Sequence, residues 1–255
     1  MPNELQQIIS KDNVMPHTMG ALMGDEPDFK PGDNLEVPNE RGMINIWATA
    51  MWAYLKVLDN PEAVPHVIVG GDHAYGDEKR APLGQVMGDA MVRKFQEHSI
   101  PGKVTYLKNF VDSDGQMKPI VDTYGEIQAY LAVAKRMSLK NGATVAALTH
   151  TTSINQLLNR YDKVPGLNAH SFAAEAILTN LPKKMQTHEY LNAVKRVFKS
   201  NDEVQFFVQE AIKNVFYLIP GGAGERFINR KAQASRIVST VGEIEEKTIT
   251  IPTVS

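Results

Sequence analysis

Histidines, carboxylates and hydroxyls gather at strand-like exits, where apolar runs turn abruptly polar. Val67-Ile68-Val69 gives way to Gly70-Gly71-Asp72-His73. Val104-Thr105-Tyr106-Leu107 is followed by a polar stretch from Asn109 to Asp114, and Ala143 to Leu148 by Thr149-His150-Thr151-Thr152-Ser153. A neutral imidazole serves as a general base or as a metal ligand, and a carboxylate supplies a complementary acid–base group. Asp72, His73 and His150 are therefore the candidate catalytic groups. Gly70 and Gly71 let backbone approach a ligand without a Cβ in the way, and their N–H groups can receive phosphate or carboxylate oxygens. These residue types fix neither a cofactor nor a metal.

Each segment also has a purely structural reading. Gly70-Gly71 suits a tight turn out of a buried strand, and Ser153 suits the N-cap of a following helix. In Asp122-Thr123-Tyr124-Gly125-Glu126, Thr123 and Glu126 match a capping box, which satisfies two helix-end donors reciprocally. A helix start facing a crevice also attracts an anion. Asp122, Thr123, Glu126, Thr149, Thr151 and Ser153 thus join Gly70 and Gly71 as candidate substrate-binding residues. Two other segments are read first as surface or loop. The run Asp77-Glu78-Lys79-Arg80 would offer a cation to a substrate if it covers the crevice. Pro220-Gly221-Gly222-Ala223-Gly224-Glu225-Arg226 carries an arginine suited to bidentate anion contacts.

The elements that must position these groups follow from hydrophobic period. Met43, Trp47, Ala50, Met51, Tyr54 and Leu58 recur at three and four residues and predict a helix closed by Asn60-Pro61, with Trp47 and Trp52 serving packing. Leu83, Val86, Met87, Ala90, Met91 and Phe95 predict a second helix. Ile127, Tyr130, Leu131, Ala134 and Met137 predict a third, leaving through Asn141-Gly142 with glycine in the left-handed conformation. Strands beginning at Val67, Val104 and Ala143 are apolar without alternation, as expected of strands covered on both faces.

This β-α-β-α-β order with right-handed crossovers makes a parallel sheet, in which ligands bind beyond the carboxyl ends of the strands. The fold class is α/β: a Rossmann-like three-layer α/β/α arrangement with a mostly parallel sheet and a helical C-terminal region. Further on, helices are expected from Ile154 to Tyr161, Thr187 to Phe198 and Asp202 to Leu218. Leu167 to Phe172 reads as a weak strand, and Thr248-Ile249-Thr250-Ile251 as an edge strand. Residues 1–40, rich in Pro, Gly, Asp and Asn from residue 11 onward, read as an irregular arm. Residues 41–255 read as one α/β domain, with its core at 64–165 and a helical part at 170–240.

Composition narrows the function classes. With 255 residues, 43% of them hydrophobic, the chain can bury a large core. A net charge of −2 without a basic block argues against nucleic acid as a partner. The absence of cysteine removes disulfides, thiolate zinc sites and cysteine nucleophiles. No apolar run reaches the roughly 20 residues of a membrane span. The opening Met1-Pro2-Asn3-Glu4 lacks the pattern of a signal peptide, so a cytoplasmic location is expected.

The strand ending in Gly70-Gly71, the helix closed by Glu97-His98-Ser99-Ile100-Pro101, the strand at Val104, the helix opening with Asp122-Thr123 and the strand ending in Thr149 come in one order. Over residues 64 to 165 that order resembles the YdcF/SanA/ElyC-like domain. The resemblance implies a Rossmann-like domain with polar residues at its strand ends, thought to be enzymatic. Where the family opens its first crossover helix with a serine–acidic pair this chain has Val86-Met87, with Asp89 the acidic group nearby, and the family's Asn-Thr-x-Glu becomes Asp122-Thr123 with Glu126 one residue later.

The leading expectation is an enzyme acting on a small anionic metabolite, phosphorylated or nucleotide-like. A second is a non-catalytic binding or assembly module, with the arm and the C-terminal helices forming a homo-oligomer or partner surface. A nucleotide- or S-adenosylmethionine-dependent transferase ranks third, because Asp112 and Asp114 stand too far beyond the second strand to hold a ribose.

Overall fold

A computed structural model describes residues 4–17, 29–32, 35–38, 40–70, 83–111, 117–120, 123–161, 169–181 and 244–252. The three expected strands are β4 (His66–Gly70), β5 (Gly102–Val111) and β7 (Gly142–Ala146). They are not each other's neighbours throughout. Asn13-Val14-Met15-Pro16 forms β1, which pairs in parallel with β4 on one side and β7 on the other. The irregular arm expected over residues 1–40 is thus corrected. Its first part holds α1 (Glu4–Ile9) and the central strand of the sheet, and a separate antiparallel pair follows, β2 (Phe29–Gly32) with β3 (Leu35–Pro38).

The parallel sheet continues from β4 to β5 and from β7 to β8 (His170–Ala173), giving the order β5-β4-β1-β7-β8. Two antiparallel strands complete it. The edge strand expected near residue 248 is β9 (Ile244–Ile251), which flanks β5 from Gly102 to Phe110. β6 (Met117–Pro119) pairs with Asn109–Val111. Phe110 is paired with both Lys118 and Ile244, so β6 lies on the same edge of β5 as β4, beyond the carboxyl end of β4.

Helices cover both faces. α2 (Glu40–Asp59), α3 (Leu83–Glu97), α6 (Ala174–Thr179) and α1 enclose one core with Val14, Val67, Val69, Val104 and Val145. α4 (Thr123–Arg136) and α5 (Leu148–Tyr161) enclose the other with Met15, Ile68, Leu107 and Ala146. Alternate residues of one strand therefore serve opposite layers, as the pleat requires. This is the three-layer Rossmann-like α/β fold.

Several details differ from the expected pattern. α2 buries Ile44, Asn45, Ile46, Thr49, Trp52 and Ala53 as well as Trp47 and Ala50, whereas Tyr54 and Leu58 face outward. α4 ends at Arg136 and leaves through Ser138 (φ 53°), with Asn141 (φ 50°) also left-handed and Gly142 already in β7. α3 has the same exit at Ser99 (φ 52°). At each exit two backbone bonds close the end, Ile100 N–H to Phe95 O with Ser99 N–H to Gln96 O, and Leu139 N–H to Ala134 O with Ser138 N–H to Lys135 O. These are Schellman motifs with serine where glycine is usual. The helices expected at 187–198 and 202–218 lie outside the described residues. Among the described residues no helix is long and apolar enough to cross a membrane.

Candidate functional site

The chain runs β1, β4, β5 toward one side of the sheet, then returns to lay β7 and β8 on the other. Its direction of winding reverses between β1 and β7. In open α/β sheets that reversal leaves a crevice beyond the strand ends, where ligands bind. The residue immediately after β1 is His17, and α5 starts two residues after β7.

Asn13, Met15 and His17 alternate toward the α4 side, so the pleat of β1 itself aims the imidazole at α4. The backbone there is held from both sides. His17 N–H donates to Val145 O at 2.7 Å, extending the ladder with β7, and Asn45 Nδ2 on α2 donates to His17 O at 2.9 Å. His17 is 3% exposed.

Both ring nitrogens meet the first turn of α4. Nδ1 lies 2.5 Å from Glu126 Oε2, and Nε2 lies 3.5 Å from Thr123 Oγ1. Residues three apart share a helix face, which is why one turn presents both groups to one ring. An ionised carboxylate only accepts, so a neutral His17 carries its proton on Nδ1 and offers the Nε2 lone pair to the Thr123 hydroxyl. Glu126 is 1% exposed, and this contact with His17 gives its carboxylate a polar partner away from water. Thr123, expected as the cap of this helix, is its first residue, and the Thr-x-x-Glu spacing presents both side chains to an imidazole delivered by another strand.

His150 completes the cluster. It sits in the first turn of α5, with its ring centroid 5.1 Å from that of His17 and the planes tilted by 55°. Its helix starts earlier than expected. Thr149, His150, Thr151, Thr152 and Ser153 all lie within α5, so Ser153 is an interior helical residue and not its N-cap. The donor at that helix start is instead met by Glu175 of α6, whose Oε2 accepts from Leu148 N–H at 2.8 Å. Thr151 Oγ1 turns back to its own helix, donating to Leu148 O at 2.8 Å.

Gly70 ends β4 beside this cluster. A Cβ placed there would stand 3.4 Å from Glu126 Cγ, so the close approach at this glycine is made by the side chain that holds His17. Of the other expected residues, Gly71, Asp72, His73 and Asp122 lie outside the described residues, as do the side chains of Thr149 and Ser153. The segments at 77–80 and 220–226 lie outside them too. Asp89 belongs to the opposite layer, where it accepts a hydrogen bond from Tyr106 Oη at 2.9 Å. Burial first, and then Asp89, push the Tyr106 phenol up.

The structure brings together Thr123, Glu126, His150 and Gly70, and adds two residues that the sequence reading did not single out, His17 and Asn45. A signal for His17 existed: Val14-Met15-Pro16 followed by histidine repeats the apolar-to-polar change seen at the other strand ends. Among the described residues no group of three or more His, Cys, Asp or Glu side chains has the geometry of a metal site. A depression of about 680 Å³, lined by Gln6, Ser10, Asp12, Lys56 and Asp59 among others, lies at the amino ends of the strands, at the opposite end from His17 and His150.

Comparison with protein-family models, with curated proteins and with solved structures gave no match. Fold and site define the class alone: a Rossmann-like α/β protein with a buried carboxylate–imidazole pair at its switch point.

Proposed function

We propose that this chain is a cytoplasmic enzyme of the YdcF-like kind that binds a small anionic metabolite, phosphorylated or nucleotide-like, beyond the carboxyl ends of β1, β4 and β7. One observation carries the reading: the carboxylate-held imidazole of His17 at the topological switch point, with His150 against it. A buried Glu126 orients the ring, fixes its tautomer and stabilises the imidazolium formed when Nε2 takes a proton. The start of α4, a 14-residue helix, adds the positive end of its dipole beside Nε2, which favours an anion. His150 contributes a second imidazole to the same place.

The experiment is a thermal-shift screen of the full chain against nucleotides, sugar phosphates and inorganic phosphate, followed by turnover assays on any stabilising compound. A ligand present at a hundred times its Kd stabilises the native state by about 2.7 kcal/mol, a readily measured shift. His17→Gln should abolish turnover of that compound. Stabilisation or turnover that is indifferent to His17→Gln and His150→Gln would remove the proposal.

A further inference from the structure

We infer that Thr123 is a nucleophile, activated through the relay Thr123–His17–Glu126, and that the reaction at this site is phosphoryl transfer through a covalent Thr123 intermediate. The inference rests on the anion-binding reading above and names the reaction for it.

Three features of the geometry support it. The order hydroxyl, imidazole, carboxylate is the arrangement by which an otherwise weak alcohol is activated: a base within reach of the hydroxyl, itself oriented by a third group. Thr123 Oγ1 to His17 Nε2 is 3.5 Å and His17 Nδ1 to Glu126 Oε2 is 2.5 Å. The first distance is long for a hydrogen bond, as nucleophile–base contacts often are before substrate is bound. The base is also fixed. The His17 backbone is tied to β7 and to Asn45, so its ring does not depend on Thr123 for its position. Finally, the members differ in burial as their roles require. Glu126 and His17 are buried, while Thr123, the group that must meet substrate, is partly exposed.

The chemistry balances with these groups and water. Thr123 Oγ1 attacks phosphorus, forming an O–P bond while the bond from phosphorus to the leaving oxygen breaks. His17 Nε2 accepts the hydroxyl proton and returns it to the departing oxygen. Water then attacks the phosphothreonine, again giving its proton to Nε2, which passes it to Thr123 Oγ1 as that O–P bond breaks. Inorganic phosphate leaves and the enzyme is restored.

The test uses two probes on the full chain. A fluorophosphonate reacts with an activated hydroxyl by forming O–P and releasing fluoride, with the hydroxyl proton taken up by base. It should label Thr123, located by peptide mass mapping. Thr123→Ala should abolish labelling, Thr123→Ser should restore it, and His17→Gln should slow it at least 100-fold, all in proteins with unchanged circular dichroism. With p-nitrophenyl phosphate, Thr123→Ala should lose turnover and Thr123→Ser should retain it. A folded protein that gives no adduct at Thr123 overturns the nucleophile. So does turnover that needs His17 but survives Thr123→Ala, an outcome that leaves the acid–base reading of His17 standing.

Discussion

His17 Nδ1 and Glu126 Oε2, 2.5 Å apart, join the end of the central strand to the first turn of α4 across 109 residues of chain. One contact is thus at once a tertiary tie and the ordering element of the site. Glu126→Gln keeps the volume and an acceptor for Nδ1–H but loses the charge. It should cost about 1–2 kcal/mol in stability, and turnover should fall on the order of 100-fold through the weakened base. Glu126→Ala leaves a buried polar group unpaired and should cost about 3 kcal/mol or more. Urea unfolding alongside kcat/KM separates the two effects, and equal loss of activity without any loss of stability in both variants would contradict the dual role.

His66 sets a pH window for stability. Its Nε2 pairs with Thr105 Oγ1 at 2.8 Å, which meets Thr248 Oγ1 at 2.8 Å, a chain crossing β4, β5 and β9. Burial first, and then the charge of Lys103, lower the His66 pKa from 6.5 to about 4. Between those values the unfolded chain binds the proton that the folded chain refuses, so this group's contribution to stability falls as pH falls from 6.5 toward 4. The full loss is about 3 kcal/mol. His66→Gln should flatten the stability–pH profile in that window while leaving its shape above pH 7 alone, as read from denaturant midpoints at pH 7.5, 6 and 5.

The left-handed serines at the ends of α3 and α4 are substitutions waiting to be made. A residue with a Cβ is strained at φ near 50°, and glycine is not. Ser99→Gly and Ser138→Gly should each stabilise by about 0.5–1 kcal/mol after the entropy that glycine adds to the unfolded chain. Asn141 shares the conformation but is occupied, accepting from Lys11 Nζ and donating to Ser10 O, so Asn141→Gly should destabilise. Thermal midpoints of the three variants decide the matter.

Gly142 should refuse any side chain. A Cβ there would overlap the Tyr130 hydroxyl and reach 2.8 Å from Asn13 Oδ1, the two atoms that share a buried 2.6 Å hydrogen bond between α4 and β1. Gly142→Ala should cost about 1–3 kcal/mol, and Tyr130→Phe in the same chain should recover part of it by removing the obstructing oxygen. Gly88→Ala should fail for the same kind of reason, since its Cβ would enter the Tyr106 ring.

Much of this molecule is legible in its sequence, and the exceptions have physical causes. β4, β5 and β7 are found because continuous apolar runs between amphipathic helices leave few alternatives. β1 is missed because four residues ending in proline, beside a stretch rich in Gly, Asp and Asn, resemble loop in every local respect. Only its neighbours make it a strand: pairing on both edges compensates for a propensity that is weak alone. With β1 unseen, His17 had no address, and Glu126 looked like a cap. Ser153 departs from its expected N-cap place for the converse reason. Five polar residues in a row look like a loop, yet from Leu148 they wind into a helix whose first donor is met by a carboxylate from α6. Thr123, Glu126 and His150 stand out as candidates because a helix start or a change from apolar to polar is visible locally, whereas the partner of each is a fact of topology.

The position of β1 also orders events during synthesis. The strand at the middle of the sheet precedes both of its neighbours in the chain, so when it leaves the ribosome neither His66–Gly70 nor Gly142–Ala146 exists for it to join. It must wait unpaired until two separately translated halves arrive to flank it, a non-local closure of the slow kind. The same arrangement makes β1 a wedge rather than an edge: a chain shortened past residue 17 loses the strand that joins β4 to β7, and a synthetic peptide spanning residues 1–17 is the natural piece to restore it.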